Sequence, residues 1–209
     1  MFVTIRPFDK ADVADIRLVY KQAFAGAPWF EKLTDEQVRE RWLKSYHQAG
    51  FAALVALNHK DIVGSHWRER ASWSQIAEEW GDELGRFACD FLQREPANAE
   101  IIWERHLSVQ PGWHDCGIGT RLRRAFLDEL GCLPGDFLVL TRMRTDNIAS
   151  IRTAEKVGFL RTGVEKQSRS TPQTKHEFWY CMVRGRTVNC RAEAMDAADA
   201  PKWPEAANF

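Results

Sequence analysis

Segments of period-two hydrophobicity alternate with segments of helical period along most of this chain, which restricts it to a mixed sheet covered by helices on both faces. The period-two segments begin with Val3 and Ile5. They continue with an apolar run over 51–57, a turn at 58–61 and a return over 62–67 as its hairpin partner. A further strand starts at Ala99 and runs through Ile101, Trp103, Leu107 and Val109. Another covers 137–144, and a last hairpin pairs 159–166 with 176–183 around a polar loop, giving seven strands.

The helical segments carry their own boundary signals. Val13, Ile16, Tyr20 and Phe24 share one helical face behind a capping Asp9 or Asp12, and Pro28-Trp29-Phe30 ends that pattern. Thr34-Asp35-Glu36-Gln37 is a capping box with Leu33 and Val38 at the staple positions, and predicts a helix to about Gln48. Ser72 and Gln75 form a second box, followed by Ile76, Trp80, Leu84, Phe87 and Phe91 at helical spacing. Gly81 and Gly85 work against one unbroken helix there, and Pro96 lies past its end. Leu122, Phe126 and Leu130 mark a helix closed by Gly131, and 148–157 forms a short one stopped by Gly158.

A length of 209 residues suits one domain with a substantial core. We place it at 1–186, with a helical insert at about 68–98, and expect the alanine- and charge-rich stretch 187–209 to be a loosely held tail. Lys plus Arg equals Asp plus Glu at 29 each, so the basic excess of a nucleic-acid binder is missing. The five cysteines, at 89, 116, 132, 181 and 190, form no Cys-x-x-Cys pair and no metal spacing, which fits free thiols in a reducing cytoplasm. The first residues lack a basic-then-apolar signal, and no apolar run approaches the roughly 18 residues that cross a bilayer. The expectation is a cytoplasmic protein with no metal, nucleic-acid or membrane partner.

Residues 114–120 carry the chemistry. A strand ends at Val109, a turn follows, and a helix opens near Gly117 to Gly119. The first amides of a helix have no intrahelical partners and add to the positive end of its dipole. Glycine at 117 and 119 removes side chains that would keep an anion away, so the turn suits a pyrophosphate. A Walker A loop is excluded because Ile118-Gly119 follows Gly117 where Lys-Ser/Thr is needed. A dinucleotide fingerprint is excluded because its third glycine position is Leu122.

The stretch Leu107-Ser108-Val109-Gln110-Pro111-Gly112-Trp113-His114-Asp115-Cys116-Gly117-Ile118-Gly119 resembles the pattern Leu-x-Val-x-Pro-x-aromatic-Arg/Gln-x-x-Gly-x-Gly of the GNAT superfamily of N-acetyltransferases. Asn147-x-x-Ser150, followed by Glu155-Lys156-Val157-Gly158-Phe159, resembles that superfamily's second signature. The element order matches as well, so the resemblance covers residue 3 to about 184. It implies an α/β (α+β) fold with a mixed, mostly antiparallel seven-stranded sheet and a splayed central strand pair. It also implies acetyl-CoA as cosubstrate and a primary amine, here a small molecule, as acceptor; a homodimer is compatible with it. Leu107, Ser108 and Val109 would bind the pantetheine arm through their backbone, and the amides of Asp115, Cys116, Gly117, Ile118, Gly119 and Thr120 would hold the pyrophosphate. His114 takes the Arg/Gln position, and Asn147 and Ser150 would face the cofactor, Asn147 from the splayed fifth strand. Two positions depart from the pattern: His114 is a poorer permanent donor, and Ala154 stands where a tyrosine commonly protonates the departing thiolate.

Acetyl transfer needs a neutral amine, yet a lysine-like amine has a pKa of about 10.4, so some group must accept its proton. The resemblance implies Glu104, five residues before Val109, as the first candidate, since some relatives acting on small amino compounds have a functional glutamate at the matching place. His106 is the reserve, and the alternatives are an exposed strand glutamate and a core or surface histidine. His114-Asp115-Cys116 is not a thiol triad, since adjacent side chains on a tight turn diverge. Trp67, Trp73 and Trp80 read either as a wall over the acceptor or as core. Glu78, Glu79, Asp82 and Glu83 read either as an attraction for cationic amines or as a solvated helix face. The competing functions are a silent acyl-CoA-binding module, motivated by Ala154, and a peptide acetyltransferase, which needs an open groove.

Overall fold

The computed structural model describes residues 2–94, 99–168 and 173–186. Its strands are β1 (Val3–Pro7), β2 (Ala52–Asn58), β3 (Asp61–Ala71), β4 (Glu100–Val109), β5 (Asp136–Arg144), β6 (Leu160–Gln167) and β7 (Lys175–Arg184). They form one seven-stranded sheet in the order β1-β2-β3-β4-β5-β7-β6. Every neighbouring pair is antiparallel except β4 with β5, so the expected mixed, mostly antiparallel sheet is present.

The helices are α1 (Val13–Ala25), α2 (Asp35–Tyr46), α3 (Trp73–Trp80), α4 (Asp82–Arg94), α5 (Ile118–Gly131) and α6 (Ile148–Glu155). Both capping boxes form. Thr34 accepts from the Gln37 amide while Gln37 accepts from the Thr34 amide, and Ser72 and Gln75 do the same. Asp9 caps a short 3-10 turn that leads into α1. The helical insert is two helices, broken at Gly81, one of the two glycines that work against a single helix; its φ of +106° ends α3 in a conformation that side-chain-bearing residues rarely adopt. A Cβ at Gly85 would lie 2.4 Å from the Ala77 Cβ, so glycine lets α4 fold back tightly on α3. The insert is also shorter than expected, since 68–71 belong to β3. Pro96, Cys190, part of the last hairpin loop (169–172) and the tail 187–209 lie outside the described residues.

Alternation along each strand divides the core into layers. Leu54, Ala56, Val63, Ile102, Val139 and Met143 face α5 and α6, packing on Leu122, Phe126 and Ile151. On the other face, Ala53, Val55 and Trp67 pack on Ile16, Tyr20 and Trp42 of α1 and α2. Farther along that face, Ile101, Trp103, Leu138 and Leu140 pack on Ile76 and Leu84 of α3 and α4. Helices therefore cover both faces, and α3 and α4 are core elements of the sheet. Among the described residues no helix is long and apolar enough to cross a membrane.

Candidate functional site

The parallel pairing of β4 and β5 runs from Glu100–Phe137 to Glu104–Thr141 and stops there. Beyond it, β4 continues to Val109 bound only to β3, while β5 continues to Arg144 bound only to β7. The two central strands thus part, and the edge of Leu107–Val109 toward β5 has no strand partner, as the extended pairing of a ligand strand requires. Leu107 is half-buried, and Ser108 is buried with no hydrogen bond to its hydroxyl.

At the end of that open edge lies the glycine turn. A 3-10 turn, Pro111–Trp113, leads through His114 and Asp115 to Gly117, which caps α5 in the left-handed region at φ +74°. Across 115, 116, 117, 118, 119 and 120, no backbone amide donates to a described residue; the next amide, of Arg121, is the first to close a helical bond, to the Gly117 carbonyl. A Cβ on Gly117 would meet nothing within 4 Å, and one on Gly119 would make only ordinary contacts with Thr153 and Leu107. The turn is an open nest of unpaired amides at a helix N-terminus, which fits a pyrophosphate. His114 turns back on its own strand, its Nε2 lying 3.0 Å from the Val109 carbonyl, and so builds no triad with Cys116.

The two candidate bases face opposite ways. Trp67 pairs with His106 and Arg68 with Glu104, which leaves Arg105 as an extra residue, a β-bulge. Before the bulge, Glu104 points to the α5 side, where Arg123 Nε donates to its Oε1 over 2.8 Å and His66 Nε2 lies 3.4 Å away. Burial alone would raise the Glu104 pKa, but the Arg123 guanidinium and the His66 imidazole outweigh it and hold the carboxyl at about 2. Such a carboxylate is a weak proton acceptor, which argues against Glu104 as the base. Beyond the bulge, His106 turns to the other face and sits between the rings of Tyr20, Phe24 and Trp67, with centroids 4.9, 5.8 and 4.7 Å away. Burial first, then the charges of Arg105 and Arg142, push its pKa well below the usual imidazole value, so the ring is neutral near pH 7.

Arg123, invisible to the sequence reading, ties the site together. From α5 it also donates to the Ser150 carbonyl (2.7 Å), Thr153 Oγ1 (2.6 Å) and Ser150 Oγ (3.3 Å), fixing α6 against the glycine helix. Asn147 lies past the end of β5 and not on it: its Oδ1 caps α6 by accepting from the Ser150 amide. Its carbonyl oxygen is committed to the helix, and only the amide nitrogen remains for a ligand. Ala154 is fully buried in the α5–α6 core, so no proton donor stands at that position.

The aromatic candidates separate. Trp67 is core, Trp73 is half-exposed, and Trp80 stacks on Trp103 with a centroid distance of 5.6 Å. Of the acidic run, Glu79 is not merely solvated: it bonds Arg105 Nη1 at 2.6 Å, and Glu69 binds the same guanidinium.

No protein-family model matches the chain, and no curated protein matches it. Solved structures do match, among them acetyltransferases of the GNAT family. The ribosomal-protein-S18-alanine N-acetyltransferase of Escherichia coli superposes with a TM-score of 0.60 at 11% identity, over 90% of this chain and 98% of its own. A GNAT superfamily phosphinothricin acetyltransferase from Sinorhizobium meliloti, in complex with acetyl-CoA, gives 0.62 at 14%, over 88% and 90%. NAA60 of Arabidopsis thaliana, in complex with a bisubstrate analogue, gives 0.62 at 10%, over 88% and 100%. The chain has the GNAT fold.

Proposed function

We propose that this chain is an N-acetyltransferase that moves the acetyl group of acetyl-CoA to the primary amine of a small molecule. The observation that carries this reading is the parting of β4 and β5 after Glu104–Thr141, which leads along a free strand edge to the unpaired amides of 115–120. Leu107, Ser108 and Val109 would pair with the pantetheine arm, and the amides of residues 115–120 would hold the pyrophosphate. When bound, acetyl-CoA supplies the activated acyl group. On the face away from α5, half-buried neutral His106 is the proposed acceptor of the amine proton, in place of Glu104. With Ala154 buried, solvent is left to protonate the departing thiolate.

A small acceptor is favoured over a peptide because α3 packs against the sheet beside the opening, with Trp80 against Trp103. That wall narrows the approach that a flexible chain would need. The test is calorimetric titration with acetyl-CoA, followed by measurement of CoA thiol release over amines, amino acids, polyamines and peptides. Tight binding without turnover on any acceptor would favour the silent module; no binding would remove the assignment.

A further inference from the structure

Three arginines cluster on the α1–α4 face around the parting strands, and two of them are paired with carboxylates. Arg41 Nη1 donates to Tyr20 Oη at 2.9 Å and to Glu31 Oε2 at 2.6 Å. Arg105 carries both Glu79 and Glu69. Arg142 differs, since its guanidinium makes no hydrogen bond and no ion pair with any described residue. It lies one residue past Thr141, the last partner of β4, and rests on the Trp80 ring at 4.3 Å from the centroid. Leu138 and Leu140 share its face, whereas Val139 and Met143 point to α5 and α6. Arg142 therefore looks into the opening from the side opposite the glycine turn.

The charges around it come from every neighbouring element. Arg105 of β4 repels it; Glu79 of α3 and Glu31 after α1 attract it without bonding it. Burial foremost, then Arg105, brings its pKa down to about 10, so it remains charged near neutrality. Its field in turn reaches His106 and His176. The guanidinium is half-buried, with one face on an indole, while its donor nitrogens stay open to solvent and meet no protein acceptor. The ligand chemistry that fits a planar fork of donors is a carboxylate, which takes two parallel bonds.

We propose that Arg142 holds a carboxylate of the acetyl acceptor, so that this enzyme acts on amino-carboxylates and not on polyamines or uncharged amines. This rests on the acetyltransferase reading above, and deepens it by naming the substrate class. The acidic face of α3 and α4 does not oppose the assignment, because Glu79, the member that reaches this region, is spent on Arg105. The carboxylate comes either from a free amino acid or from an acidic side chain in a peptide.

Two measurements test this. In steady-state acetylation, free amino acids should exceed their amides in kcat/KM by about tenfold to a hundredfold, the usual worth of a charge-assisted bidentate contact. Arg142→Met should erase that preference, Arg142→Lys should keep a reduced part, and acetyl-CoA affinity should stay constant in both. Amide-capped dipeptides with aspartate in second place, preferred over free amino acids, would assign the carboxylate to a peptide. A wild-type preference for amides or diamines, or a preference that survives in Arg142→Met, overturns the proposal. The second measurement needs no turnover. The Nε–H signal of Arg142, assigned by its loss in Arg142→Lys, should shift on addition of N-acetylglycine and not of N-acetylglycinamide. A signal that ignores both ligands overturns the carboxylate site even where acetyl transfer is intact. A shift in a protein that acetylates nothing keeps the site and removes the enzyme reading.

Discussion

Arg123 Nε meets Glu104 Oε1 at 2.8 Å, with both side chains about 2% exposed, and so joins the helix behind the glycine turn to the last strand residue before the sheet opens. A buried ion pair is seldom a net gain over apolar packing, but removing one partner leaves an uncompensated charge. Here the pair also carries geometry, because the same guanidinium holds Ser150 and Thr153 of α6.

Arg123→Met should accordingly lower stability by about 3 to 5 kcal/mol, measured by urea unfolding. Joining it with Glu104→Leu should restore most of that loss, since no buried charge then stands alone. A single Arg123→Met variant as stable as the parent would show that Glu104 finds another partner or water.

Gly119→Asp separates folding from binding. The fold tolerates a Cβ there, at 3.4 Å from the Thr153 Cγ2 and 3.6 Å from the Leu107 Cδ2. A carboxylate in the first turn of α5 also suits the helix dipole, so the melting temperature should hold or rise slightly. The same carboxylate would occupy the anion nest, and acetyl-CoA binding should disappear in calorimetry. Unchanged affinity in the folded variant would remove the phosphate role of the turn.

How far the sequence reaches is clear from these residues. Hydrophobic period and capping boxes place the strands and helices because each depends on neighbours a few positions away, and the glycine turn is legible for the same reason. The orientation of Glu104 and His106 is not. Period two puts both on one face, and a single extra residue at Arg105 turns them to opposite ones. Nothing in the local pattern marks that bulge. The Glu104–Arg123 pair is equally hidden, since it closes across 19 positions between a strand and a helix. Arg142 did leave a trace: it and Arg144 interrupt a strand whose residues 137–140 are apolar on both faces. The Asn147 assignment followed the motif, and missed that an asparagine at a helix start has its carbonyl oxygen claimed by the backbone.

Acid should unfold the protein in two stages. His176 is held at about 4, by burial first and then by Arg142 and Arg144, and His106 is shifted in the same direction. Both are favoured neutral in the fold, so their contribution is complete above about pH 6.5 and is lost as the pH falls toward 4. Glu104 is shifted from 4.5 to about 2, so its contribution, about 3 kcal/mol, is present above pH 4.5 and is lost between there and 2. Melting temperatures should be flat near neutrality, begin to fall below about 6.5 and fall more steeply below about 4.5. His106→Phe with His176→Phe should remove the upper stage and keep the lower. A single transition confined to pH below 4 in the parent would show that the histidines do not titrate on unfolding.

The base is tested by comparing His106→Phe with Glu104→Gln. Phenylalanine keeps the ring among Tyr20, Phe24 and Trp67 but has no nitrogen to take a proton. General-base catalysis is worth about 100- to 10,000-fold, and a histidine this far below its usual pKa belongs at the weak end, so turnover near pH 7 should fall about 100-fold. That is about 2.7 kcal/mol of barrier. Acetyl-CoA affinity should not change, because His106 lies on the face away from α5. The gap should close as the pH rises, since more of the amine then arrives without its proton. Glu104→Gln should behave differently: it strands the Arg123 charge, lowers stability, and leaves the shape of the pH–rate profile as it was. If instead Glu104→Gln shows the pH-dependent rate loss and His106→Phe turns over normally, the proton goes to Glu104 despite its ion pair, and the bulge at Arg105 has no catalytic meaning.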